Sequence, residues 1–247
     1  MGHVSLSRIR ETLELLYERY HRPAYRKEDP VEILWQYANP LDQEIAGIWA
    51  ALFAWGRREV AIRKVQALLA ALGDSPAASL RAHCPLVVEW RHRTWSPLDM
   101  SILWKRLGEI YRREGSLANF FWKRRTDWEE AIAQFQSEIG APPLHRHIGN
   151  LRRGSASKRL LLWLRWMVRR DSIDPGPWEG FSPRWLYVPI DTHVSNWAVT
   201  HQLLSYRIPN WRTVLRLTEV FHKISPEDPL RYDFAIVTAG SRSKMRV

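Results

Sequence analysis

The chain has 247 residues, with 37 Lys and Arg against 26 Asp and Glu, 14 Trp and one Cys, and its 45% apolar and 26% charged composition suits a folded chain with a sizeable core. Lone Cys84 excludes a disulfide framework, a four-cysteine zinc site and a cysteine-ligated iron–sulfur cluster. The formal charge of +11 favours a polyanionic partner, above all nucleic acid.

Apolar residues recur at helical spacing from the start. Residues 4–20 form the first predicted helix, with Ile9, Leu13 and Leu16 among charges. Residues 42–71 are the strongest block: Asp42 is the expected cap, Gly56 the expected division, and Gly73 the expected close. The uncharged run at 45–56 falls short of the roughly 18–20 residues a membrane span needs. Arg8, Arg10 and Glu11 interrupt the N-terminus before any secretory signal can form, so a cytoplasmic protein with no membrane partner is expected. Further helices are predicted at 76–83, 97–113, 117–121 and 128–139, ahead of a breaker, Gly140-Ala141-Pro142-Pro143, which is the best internal boundary. The series ends with 158–170, 191–203, 210–224 and 229–238. Only 185–190 looks strand-like, and Pro189 interrupts it. The expected fold class is all-α, one domain over 1–247.

No acidic residue occurs from Ile139 to Arg170. Within that stretch Asn150-Leu-Arg-Arg-Gly154-Ser-Ala-Ser157 is a turn that opens directly into a helix. A helix N-terminus rimmed by arginines offers free amides and a positive dipole end, which marks Arg152, Arg153, Gly154, Ser155, Ser157 and Arg159 as candidate phosphate contacts. Gly154 allows close backbone approach, and Ser155 or Ser157 is the expected cap. Lys158 stands in the first turn, and Leu160 to Val168 behind it is apolar enough to be buried, so Lys158 sits at the rim of a core. An amine there is either a solvated side chain or a candidate nucleophile. Further on, Pro189-Ile190-Asp191-Thr192-His193-Val194 places Asp191 at a helix start, where it can cap, act as a base, or do both. His145-x-His147 is too weak to hold a metal, and no metal or cofactor is expected.

A basic hairpin opening into a helix with an early lysine, followed by an apolar-Pro-apolar-Asp-Thr-His-Val segment, resembles the helix–hairpin–helix DNA glycosylase superfamily. The interval from Lys158 to Asp191, and the helix start Ala156-Ser157-Lys158-Arg159, are most similar to the archaeal 8-oxoguanine glycosylases. Most of the chain also resembles an uncharacterised, mainly bacterial family through Asp42-Gln-Glu-Ile-Ala-Gly47 to Arg57, the Gly154–Val168 block, and Asp228-Pro to Phe234. The resemblance implies two helical lobes with a cleft between them, a DNA-binding hairpin at 144–170, and duplex DNA carrying a damaged base as partner. It implies a base-excision repair enzyme that removes a damaged purine, oxidised purines among the candidates, as a glycosylase and AP lyase, with Lys158 and Asp191 catalytic. It also implies a base pocket with Trp55, Trp163, Trp166 and Asp233 as candidate walls. Two alternatives stay open: a non-catalytic helix–hairpin–helix DNA-binding protein, and an RNA-binding helical protein.

Overall fold

Most helices here begin with the same local chemistry: a short polar side chain accepts an early amide, and a proline often occupies the first turn. The computed structural model describes residues 5–205 and 208–243, and within them it is helical with no β-strand. In chain order the helices are α1 (Leu6–Tyr20), α2 (Pro23–Arg26), α3 (Pro40–Phe53), α4 (Arg58–Ala70), α5 (Pro76–Arg81), α6 (Pro97–Glu114) and α7 (Leu117–Trp122). They continue as α8 (Trp128–Gly140), α9 (His145–Ile148), α10 (Lys158–Val168), α11 (Thr192–Thr200), α12 (Trp211–Ile224) and α13 (Asp233–Ser243). A 3-10 turn, Pro30–Gln36, lies between α2 and α3. No helix among the described residues is long and apolar enough to cross a membrane.

The strong block divides as expected, with Gly56 in the left-handed region at φ 87° and Gly73 at φ 76°. Its cap differs from expectation. Asn39 accepts from the Leu41 amide and Pro40 starts the helix, whereas Asp42 reaches away to accept from Ser75 Oγ at 2.8 Å and the Ala77 amide at 2.9 Å. Asp42 therefore ties α3 to the start of α5. The last helix also differs: residues 229–232 form turns, and α13 begins at Asp233. The predicted helix start at Val4 lies outside the described residues. The Pro142-Pro143 boundary is stitched to α6, because the Arg106 guanidinium donates to the carbonyls of Ile139, Ala141 and Pro142.

Helix α3 is the central element, buried on nearly every side, as its apolar run requires. It packs against α10, α4, α5 and the Pro30–Gln36 turn. Gly47 permits the α3–α10 approach: a Cβ there would stand 2.9 Å from Met167 Cε and 3.1 Å from Trp163 Cδ1. Glu44, one helical turn before Ile48, is fully buried but fully used. It accepts from Tyr111 Oη, from the amides of Leu117 and Ala118 at the start of α7, and from Trp178 Nε1. A buried carboxylate is tolerated when its lone pairs are met this way. A second buried polar set binds α10 to the following loop and to α13. Arg165 holds Asp174 at 2.9 Å and Asp233 at 2.5 Å, while Arg169 holds Asp174, Asp171 and Asp228.

Candidate functional site

Helix α10 turns one face into the core and another to a cavity. Lys158, Leu162 and Arg165, spaced one turn apart, line the cavity side, and Trp163 and Trp166 point the other way. The cavity has a volume of about 400 Å³ and is bounded also by Trp55, Gly56 and Arg58 of the α3–α4 turn, by Asp191, Thr192 and His193, and by Asp233 and Phe234 of α13. A larger neighbouring cavity of about 870 Å³ runs along the turn before α10, from Gly149 and Ser155 to Arg159, with Asn196 and Pro209 opposite. Both fall in the range of about 300–1,000 Å³ typical of small-molecule sites. Ala54, Trp55, Lys158, Asp191 and Thr192 border both. The amine and the carboxylate singled out by sequence therefore stand on the boundary between two connected hollows.

Lys158 Nζ lies 4.0 Å from Asp191 Oδ2, with the lysine side chain 36% exposed and the aspartate 13%. Asp191 also caps α11, accepting from the Val194 amide at 2.8 Å through its other oxygen. One oxygen fixes the side chain and the second faces the amine, so the carboxylate is held in place rather than free to rotate. Asp233 stands behind them, 1% exposed, with Oδ2 on Arg165 and Oδ1 without a hydrogen-bond partner among the described residues. Burial raises its pKa against the pull of Arg165, the nearby Asp191 charge adds to the rise, and the result is a carboxyl pushed up to about 6.

The other expected residues divide. Trp55 is 36% exposed at the mouth of both cavities, with the Arg93 guanidinium 4.4 Å and that of Arg159 5.8 Å from its ring. Trp163 and Trp166 are corrected: both are wholly buried and border neither cavity. Trp163 stacks on Phe135 and donates to the Glu44 carbonyl, which makes it a core residue joining α8, α10 and α3. In the turn, Arg153 is exposed and Gly154 adopts φ 83°, its carbonyl accepting from the Trp211 amide. The expected cap is corrected too. Ser157 occupies the cap position at φ 49° with no cap bond, because its buried hydroxyl accepts from Gln136 Nε2 at 2.7 Å. Ser155 Oγ accepts from the Ser157 amide. Arg159 is half-buried and donates to the Leu52 carbonyl.

The basic stretch is less basic than its sequence reads. Arg146 is paired with Asp99, Arg152 with Glu130, and Arg165 and Arg169 with the buried aspartates. Burial works to raise the Asp99 pKa, but hydrogen bonds from Ser96 and the Arg146 guanidinium outweigh it and hold that carboxyl at about 2. His147 is buried and stacked on Trp95, and among the described residues no group of three or more His, Cys, Asp or Glu side chains is arranged to hold a metal ion. Sequence reasoning missed Arg165, Arg58 and Arg93 at the site. Arg165 carries no local signal because its partner Asp233 lies 68 positions away.

These features define an all-helical protein with a lysine–aspartate pair set between two cavities beside a basic turn. The chain belongs to the family described as protein of unknown function (DUF2400), whose family model matches residues 29–242. No curated protein and no solved structure gives a match.

Proposed function

We propose that this protein is a helix–hairpin–helix DNA glycosylase with AP lyase activity, folded as two helical lobes about a cleft and acting on a damaged purine in duplex DNA. The observation that carries the reading is the approach of Lys158 Nζ to Asp191 Oδ2, 4.0 Å apart at an opening large enough for a nucleotide. The residues lining the two hollows suggest a division of labour. The extruded base enters the smaller one, against Trp55 and Asp233, and the larger one along the turn holds the sugar and phosphate. Extrusion costs a few kcal/mol and least for a base that pairs poorly, which contributes selectivity.

In the reaction, Asp191 takes a proton from the Lys158 ammonium and the freed amine attacks C1′. The N–C1′ bond forms as the glycosidic bond breaks, and the departing base keeps the bonding pair and takes up a proton. That proton comes back from Asp191, and the carboxylate charge restored there stabilises the cationic character developing at the sugar. The C1′–O4′ bond then breaks with its pair on O4′, which takes a proton from the attached nitrogen, and an iminium is left on Lys158. Loss of the C2′ proton then expels the 3′-phosphate, with the C3′–O3′ pair leaving on the phosphate oxygen.

Borohydride reduction tests this directly. Protein incubated with duplexes carrying oxidised, alkylated or deaminated bases forms a covalent adduct on at least one of them, and Lys158→Ala abolishes it. Asp191→Asn, which can still cap α11, keeps DNA affinity while base release slows by about 10²–10⁴. An equal adduct yield from Lys158→Ala refutes the nucleophile; DNA affinity with no adduct on any lesion points to a non-catalytic DNA-binding protein.

A further inference from the structure

The ion pairs within the basic stretch raise the question of which cations remain to meet phosphate. On the hairpin side, Arg152 and Arg146 are paired to carboxylates, Arg159 is half-buried on a backbone carbonyl, and of the turn's arginines Arg153 alone is exposed without an ion pair among the described residues. The opposite lip is different. The α3–α4 turn with the first two turns of α4, and the 88–95 loop, carry Arg57, Arg58, Arg63, Lys64, Arg91 and Arg93 against only Glu59 and Glu89, and none of the six makes an ion pair among the described residues. The two segments are held side by side through aromatic rings. Arg93 lies over Trp55, with its guanidinium against the Gly56 turn, where a Cβ would come within 2.8 Å of Nη1. Lys64, nearly two turns into α4, lies 4.2 Å over Trp90, and Trp90 meets Phe53 edge-on. Trp55 and Arg58 are at the same time walls of the smaller cavity.

We propose that this second lip, formed by the start of α4 and the 88–95 loop, is the principal phosphate-binding surface of the protein, and that it takes the backbone of duplex DNA as it leaves the cavity. This deepens the glycosylase reading and rests on it for the identity of the polymer. Unpaired cations at the rim of a cavity release counterions on meeting phosphate, whereas a cation already paired to a carboxylate must first give up that partner. Cations resting on tryptophan faces keep their charge while their geometry is fixed, so they are presented to a strand with less ordering left to do. The hairpin then positions the nucleotide at Lys158, and the lip supplies affinity.

The test measures binding of an unmodified duplex across a salt series, for the wild-type chain and for the combined variant Arg57→Gln, Lys64→Gln, Arg93→Gln. The slope of log affinity against log salt becomes shallower by about 2–3, at roughly 0.9 for each phosphate no longer neutralised, and affinity at moderate salt falls on the order of 10- to 100-fold. Arg152→Gln, on the hairpin side, leaves the slope within about 0.5 of wild type on the same scale. If the combined variant loses its fold by circular dichroism, Arg57→Glu alone serves, since that side chain is exposed and makes no hydrogen bond or ion pair among the described residues; it lowers affinity and reduces the slope by about 1. A wild-type slope in the variants overturns the lip, and so does lip-dependent binding of structured RNA without binding of duplex DNA. The lesion adduct of the wild-type protein is a separate readout: its absence defeats the glycosylase reading, while its presence with an unchanged slope defeats only the lip.

Discussion

Asp233 offers the sharpest quantitative check, because its environment makes a signed statement about stability. Its carboxyl is buried, shares Arg165 with Asp174, faces the charge of Asp191, and leaves Oδ1 unpartnered among the described residues. The folded-state pKa of about 6 stands above the ordinary 3.8. Between those two values the folded state binds more protons than the unfolded one, so this group's contribution is fully present below about pH 4 and is lost as pH rises through about 6. Two pKa units at 1.36 kcal/mol each give about 3 kcal/mol. Asp233→Asn removes the titration, and the experiment compares denaturant unfolding of wild type and variant at pH 4, 5, 6 and 7. Wild-type stability relative to Asp233→Asn should fall by about 2–3 kcal/mol from pH 4 to pH 7. The comparison cancels groups common to both chains, such as Glu44 and Asp174, whose pKa values burial also raises. A difference between the two proteins that stays flat across this range would falsify the assignment of an unsatisfied, buried carboxyl to Asp233.

Asp174→Ala leaves Arg165 and Arg169 with fewer carboxylates in a site nearly closed to water, so unfolding free energy falls by about 3–5 kcal/mol; a loss under about 1 kcal/mol shows that Asp233, Asp171 and Asp228 suffice without it. Asp99 has the opposite sign to Asp233. Its pKa of about 2 means that its stabilisation is present above about pH 4 and lost as pH falls through about 2, a span of about 2 kcal/mol that Asp99→Asn removes. Urea unfolding of the two chains at pH 2, 3, 4 and 6 measures that span, and parallel pH curves refute it.

Much of the helical architecture was legible because its causes are local. Apolar spacing over three to four residues set α3 and α10 as buried helices, and the glycines at 56 and 73 ended their elements through a left-handed backbone that sequence can anticipate. The same holds for the pairing of an early-helix lysine with a helix-capping aspartate: Lys158 starts α10, Asp191 caps α11, and each position could be read without the other. Caps were less secure. Asn39 rather than Asp42 starts α3, and Ser157 turns to Gln136, because several polar side chains near a helix start compete and distant partners decide among them.

By itself, then, the amino-acid order determined where the longer helices run, that α3 and α10 are interior, and which amine and carboxylate stand at helix starts. Folding decided everything that depends on partners far along the chain. It buried Trp163 and Trp166 while leaving Trp55 at an opening, and it brought Lys158 within 4.0 Å of Asp191. It also neutralised Arg146, Arg152, Arg165 and Arg169 while leaving Arg57, Arg58 and Arg93 without carboxylate partners among the described residues. The physical reason is range: a helix is specified within one or two turns, whereas the fate of a charge is set by whichever opposite charge the packed chain places within a few ångströms of it.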